Sequence, residues 1–212
     1  DSSVSQRQIT RMLSIGLLGL KKRRRLVPTE WSITAIDDIL GKNIHREILN
    51  YPWTNEFMVF GHEALGNNVQ ILLIPSSWMF EAQEAWLVSP NPVPGVDSEL
   101  VWGRRSYASD VAGAYYAARL PVLEYLKRIR RQAGALVLME VYPEWVPLGV
   151  WRFREICREA LKKEPMKINT LKEGLDELGK RLRLPLEKWI NKSSILQWYQ
   201  TQKRLNYFLP QK

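Results

Sequence analysis

Cysteine is almost missing from this chain: Cys157 is the one example in 212 residues. A lone thiol excludes an internal disulfide and any Cys-cluster zinc site built by the chain itself, and it fits a reducing compartment. Histidine is nearly as scarce. His45 and His62 have no metal-ligand spacing, so both read as structural, and neither a metal nor a cofactor is expected here. No apolar run reaches the roughly 18 residues of a membrane-spanning helix, so no membrane partner is expected. Nor do the first 25 residues read as a secretory signal, because the basic run follows the apolar stretch instead of preceding it. The common catalytic signatures are missing too. There is no G-x-x-x-x-G-K-[ST] phosphate loop, no G-x-G-x-x-G dinucleotide turn and no G-x-S-x-G elbow. Acidic residues are the scarcer charge, 22 against 31 lysines and arginines, giving a net charge of +9. That excess points to a polyanion partner such as nucleic acid. The chain opens on Asp1 instead of Met, as a piece of a longer protein would.

What is present suffices for one sizeable core with an appended helical piece, since 45% of the residues are hydrophobic. Residues 5–20 carry Ile9, Met12, Leu13 and Leu17 at helical spacing, weakened at the end by Gly16 and Gly19. Then come Lys21, Lys22, Arg23, Arg24 and Arg25. Adjacent cations repel unless a polyanion or carboxylates neutralise them, so this run is a candidate phosphate strip beside the plainer reading of a solvated surface. Ser32 is placed to cap a helix over about 33–50, with Ile33, Ile36, Ile39 or Leu40, Ile44 and Ile48 on its apolar face. Asp37 and Asp38 fall in its early turns. They suit either the helix dipole or a pair of carboxylates for acid–base or metal chemistry. Adjacent helical residues diverge by about 100°, so at most one of the two points into a site.

Residues 57–60 and 69–74 read as strands separated by Gly61 and a Gly66-Asn67-Asn68 turn, and 78–88 leans towards strand, with Glu81 and Glu84 inside it. Pro90, Pro92, Pro94 and Gly95 mark a loop. A long helix follows over about 107–132, with Pro121 expected to kink it and Ala112, Gly113, Ala114, Ala117 and Ala118 allowing close approach. Arg104 and Arg105 stand just before that helix, where free N–H groups suit a phosphate; a surface loop with ion pairs is the alternative. Residues 135–140 read as a buried strand and 151–163 as a helix. Thr170 and Glu173 form a capping box, and Pro185 starts a last helix. Of nine tryptophans, Trp53, Trp78, Trp86 and Trp151 are assigned to the core; Trp31, Trp102 and Trp145 sit next to polar turns, where stacking on a base is the functional reading and core packing the plainer one. The class is therefore α/β, in the mixed α+β sense: a small central sheet flanked by helices over 1–168, a helical portion over 169–200, and a tail over 201–212.

The tail carries chemistry of its own. Gln202, Leu205, Phe208 and Leu209 follow the spacing Q-x-x-h-x-x-a-a of a sliding-clamp-binding peptide, the PCNA-interacting motif. One helical turn puts Leu205 and Phe208 on one side for a shared apolar pocket, with the Gln202 amide a turn earlier for a polar one. Lys203, Arg204 and Lys212 suit an acidic clamp surface. A short amphipathic helix packed on its own domain is the alternative.

Three further stretches carry a family resemblance. They are Arg25-Leu-Val-Pro-Thr-Glu-Trp-Ser-Ile-Thr-Ala-Ile-Asp37-Asp38, the segment from Gly103-Arg-Arg-Ser-Tyr107 to Arg119, and Glu140-Val-Tyr-Pro-Glu-Trp-Val-Pro-Leu-Gly-Val-Trp151. With the tail, they resemble, in the same order, landmarks of the archaeal Nre DNA-repair proteins. The resemblance implies a role in repair of DNA damage in an archaeal, nucleoid-associated cytoplasm, coupled to the sliding clamp. It implies that this chain is the C-terminal half or so, with a cysteine-rich, zinc-finger-like element and any zinc lying outside it. Leu209 departs from the usual aromatic at its position, which leaves the second clamp pocket less filled.

Two functions are compatible with these features. One is a clamp-recruited factor that binds DNA through its basic patches. The other is an enzyme acting on nucleic acid or a nucleotide, its site built from Asp37, Asp38, Glu140 and Tyr107 with nearby arginines. A binder leaves those acids capped or paired; an enzyme brings at least one into a cleft beside an arginine.

Overall fold

The structure is a computed structural model that describes residues 4–201. In chain order its elements are α1 (Gln6–Ser14), a 3₁₀ turn (Lys21–Arg23), α2 (Thr29–Ile48), β1 (Phe57–Ala64), β2 (Asn67–Ile74), β3 (Met79–Trp86), β4 (Gly95–Glu99), α3 (Ala112–Ile129), β5 (Gly134–Val141), α4 (Trp151–Lys162), β6 (Met166–Ile168), α5 (Leu171–Arg181), α6 (Leu186–Ile190) and α7 (Ser194–Thr201). The strands make one mixed sheet in the order β4-β3-β5-β2-β1-β6. Every residue of β2 and β5 is buried, which is how strands read when both faces of a sheet are covered. Alternation decides the two faces. Phe60, Ile71, Phe80 and Val137 point into the core beneath α3 and α4. Val59, Leu72 and Leu138 point the other way, into the core under α5 to α7. The helical portion over 169–200 is thus the second layer on the same sheet. β3 and β5 are the parallel pair, and the chain passes through β4 and α3 between them.

Several boundaries differ from expectation, each for a local reason. α2 starts at Thr29 behind Pro28, a turn earlier than Ser32, whose buried hydroxyl donates back to the Val27 carbonyl at 3.5 Å. α1 stops at Ser14, and Gly16 (φ +71°) turns the chain against the Arg25 carbonyl. β1 runs straight through Gly61, and Asn67 and Asn68 belong to β2. The hairpin turns at Leu65 and Gly66, both at positive φ. A Cβ on Gly66 would sit 2.5 Å from the Trp145 backbone, so only glycine fits there. α3 begins at Ala112 instead of 107, and it runs on through Pro121. The edge strands β4 and β6 had no apolar alternation to announce them. The last helix is broken in two because the buried Glu81 carboxylate of β3 accepts the N–H groups of Ser194 and Ile195, at 2.8 and 3.2 Å.

Candidate functional site

One cleft gathers several of the predicted residues. Its walls are α2, the 103–107 loop and α3, and its volume is about 270 Å³. Glycine lets the helices close on each other. A Cβ on Gly41 would lie 2.9 Å from Arg119 Nη1, and one on Gly113 would lie 3.2 Å from Thr34 Oγ1. At the floor, buried Glu99 accepts Arg119 Nε at 2.7 Å and Trp78 Nε1 at 2.6 Å. The Arg119 guanidinium also lies over the Trp78 ring, 5.5 Å from its centroid. His45 packs against Trp78; burial and then the Arg119 charge hold its pKa below the ordinary value. The Tyr115 hydroxyl lines the cleft, fully buried and without a hydrogen-bond partner among the described residues. Burial, then nearby Glu99, push this phenol far up. At the mouth, Asp38 pairs with Lys42 at 2.7 Å. Exposed Tyr107 lies against Tyr116, with ring centroids 4.8 Å apart.

Arg104 and Arg105 part company here. Arg104 bonds Asp97 Oδ1 at 2.6 Å and donates to the carbonyls of Ser98, Ser106 and Tyr107. The same Asp97 carboxylate accepts the backbone N–H groups of Ser109, Asp110 and Val111. The anion expected before the long helix is therefore part of the protein, and Arg104 is not free for a phosphate. Arg105 is exposed and has no hydrogen bond or ion pair among the described residues. It also lines a second groove, of about 550 Å³, together with Ser98, Leu100 and Trp102. Trp102 is 66% exposed and meets Trp198 edge-on at 5.0 Å.

The remaining candidates lie elsewhere. Asp37 is buried on another side of α2, where Arg154 Nη1 at 2.6 Å and Gln6 Nε2 at 2.5 Å share its Oδ1. Its Oδ2 has no partner among the described residues, and burial outweighs Arg154, raising its pKa to about 6. Glu140 is buried and accepts Asn68 Nδ2, the Tyr142 hydroxyl and the backbone N–H groups of Arg183 and Leu184. No bond joins Glu140 to Asp37, Asp38 or Arg104 among the described residues, so the four-residue site drawn from the sequence is not assembled. Lys21, Lys22, Arg23, Arg24 and Arg25 are all exposed; Arg24 Nε donates to the Gly19 carbonyl at 3.2 Å. Gln202, Leu205, Phe208 and Leu209 lie outside the described residues. Trp53 and Trp86, assigned to the core, are 52% and 37% exposed. Of the assigned four, Trp78 is fully buried.

Sequence reasoning missed Glu99, Arg119, Lys42 and Tyr115. Arg119 had a signal: a cation set between Ala118 and Leu120 on a small, apolar helix face needs a buried partner. Among the described residues, no group of three His, Cys, Asp or Glu side chains is placed to hold a metal ion. No helix among them is long and apolar enough to cross a membrane.

The architecture is thus a two-faced mixed sheet with a basic, aromatic cleft at one end of its helical layer. Family comparison makes this specific. The model described as "Archaeal Nre, C-terminal" matches residues 99–208, and "Archaeal Nre, N-terminal" matches residues 1–90. This chain belongs to the archaeal Nre family. It carries residues of both named regions, where the sequence suggested the C-terminal one. It is 41% identical to DNA repair protein NreA of Archaeoglobus fulgidus over 82% of this chain and 46% of that protein. It is 40% identical to DNA repair protein NreB of the same organism, over 92% of this chain and 51% of that protein. With NreA of Haloferax volcanii the identity is 36%, over 91% and 48%. The chain therefore spans about half the length of these relatives. No solved structure matches it.

Proposed function

We propose that this chain is a DNA-repair factor that holds single-stranded DNA along the adjoining cleft and groove and reaches the sliding clamp through its C-terminal peptide. The relatives' names support the repair role. The observation that carries the DNA-binding part is Arg105. It is unpaired among the described residues, it stands between the two depressions, and exposed Tyr107 and Trp102 flank it. Cations that track a backbone, with aromatic faces between them, form the usual platform for a single strand. Exposed Trp31 lies two turns before Asp38 on α2, on the same side, and extends the platform. Residues 21–25 add charge without a carboxylate partner among the described residues.

The test is fluorescence anisotropy of a labelled single-stranded oligonucleotide. Arg105→Ala combined with Trp102→Ala weakens binding tenfold or more, and log Kd varies steeply with log salt. Unchanged affinity in the double variant removes the platform. Clamp recruitment rests on Gln202, Leu205, Phe208 and Leu209. An enzymatic reading draws on one observation, the Tyr115 hydroxyl, without a partner among the described residues, beside the Glu99–Arg119 pair. It requires product formation on a nucleotide or strand that Tyr115→Phe abolishes.

A further inference from the structure

A larger depression lies on the other side of α2, between α1 and α4, with a volume of about 650 Å³. α1 is pinned there by one side chain. Gln6 donates to Asp37 Oδ1 and accepts from Arg158 Nη2 at 3.0 Å. Around that pin, four arginines line the groove: Arg7 and Arg11 on α1, Arg154 and Arg158 on α4. Each pair is spaced i,i+4, so each presents two guanidinium groups one turn apart on a single helix face.

The charge balance here differs from that of the cleft, where every cation but Arg105 has a carboxylate. Among the described residues Glu155 is the one acid lining the groove, and it is shared by Arg154 and Arg158. Arg154 also holds Asp37, and Arg158 also holds Glu124. The Arg7 and Arg11 side chains are exposed and have no hydrogen bond or ion pair among the described residues. Two forks without a partner among the described residues therefore face two anchored ones across a space the size of a small-ligand site. Planar guanidinium forks match phosphate oxygens two at a time. The hydroxyl residues Thr10 and Thr29 also line the space, and Trp151 forms one wall with no ring partner among the described residues.

We infer that this groove is a second anion site, distinct from the DNA platform, that takes a phosphorylated ligand of nucleotide size. The phosphate lies on Arg7, Arg11, Arg154 and Arg158, and the base lies against Trp151. The phosphate belongs either to a free nucleotide or to the end of a strand.

Calorimetric titration with dATP, inorganic triphosphate and a short 5′-phosphorylated oligonucleotide tests this. The unmodified chain binds dATP, and Arg7→Ala/Arg11→Ala weakens it tenfold or more with an unchanged circular dichroism spectrum. Arg154→Lys, which keeps the charge facing Asp37 but loses the fork, weakens it as well. Triphosphate competes with dATP, as phosphate recognition requires. Arg105→Ala leaves dATP affinity unchanged, which separates this site from the platform. Competition by the phosphorylated oligonucleotide, but not by its 5′-hydroxyl form, assigns the groove to strand ends; failure of both to compete assigns it to free nucleotides. No dATP binding, or binding insensitive to the α1 arginines and to Arg154→Lys, overturns the inference.

Discussion

Asp97 on β4 accepts Arg104 Nη2 at 2.6 Å and, with the same two oxygens, the three N–H groups that lead into α3. One buried carboxylate thus sets both the start of the helix and the path of the 103–107 loop. Asp97→Asn replaces a charged acceptor by an amide with one acceptor oxygen and a donor facing donors. The expected loss is about 3 kcal/mol, as for breaking a buried, hydrogen-bonded ion pair. Urea denaturation measures it. Arg104→Ala destabilises as well, whereas Arg105→Ala changes stability by less than about 0.5 kcal/mol, as exposed sites do.

Glu140 plays the same part on the opposite face, where it accepts the N–H groups of Arg183 and Leu184. Glu140→Ala leaves those donors and the Tyr142 hydroxyl without this acceptor and costs about 3 kcal/mol or more. Hydrogen exchange at 183 and 184 should speed up before the rest of the sheet is affected. Undisturbed exchange there would mean the carboxylate does not tether this loop.

Asp37 gives a signed pH dependence. Burial raises its folded pKa from 3.8 to about 6, so the neutral form is the one the fold favours. Its contribution is complete below about pH 4 and is lost as pH rises through 6. Comparison with Asp37→Asn isolates this effect. The stability of the unmodified chain relative to that variant falls by about 2 kcal/mol between pH 4 and pH 7. A difference that is flat across that window contradicts the raised pKa.

Gly41→Ala brings a methyl within 2.9 Å of Arg119 Nη1 and 3.4 Å of a Leu123 methyl. Arg119 cannot yield freely, because Glu99 and Trp78 hold it. The variant loses about 1–3 kcal/mol, the usual cost of overpacking, and its oligonucleotide affinity falls with the distorted cleft. Thermal unfolding and anisotropy read the two effects separately.

Clamp binding is the last prediction. Phe208→Ala lowers affinity for the sliding clamp by about 2 kcal/mol or more, as loss of a central aromatic anchor does. Titration of the clamp with the full chain, the Phe208 variant and a chain ending at Thr201 measures this. Equal binding by all three removes the tail from the recruitment model.

Much of this protein was legible in its order of residues. The apolar runs at 69–74 and 135–140 announced β2 and β5, because strands buried on both faces must be apolar throughout. The Nre landmarks and the basic balance were also readable, and so was the 100° divergence that sends Asp37 and Asp38 to different sides of α2. The partners of the polar residues were not readable. Asp97 and Arg104 stand close in sequence, yet what joins them is the path of β4 against the loop. Glu99 and Arg119, Glu140 and Leu184 meet, and Arg7 and Arg154 come to line one groove, only after the sheet has stacked its helices. Local sequence dictates which groups a segment carries. Whether a carboxylate becomes a tether, a titrating group or the floor of a cleft depends on what packing brings against it, and on how much water that packing removes.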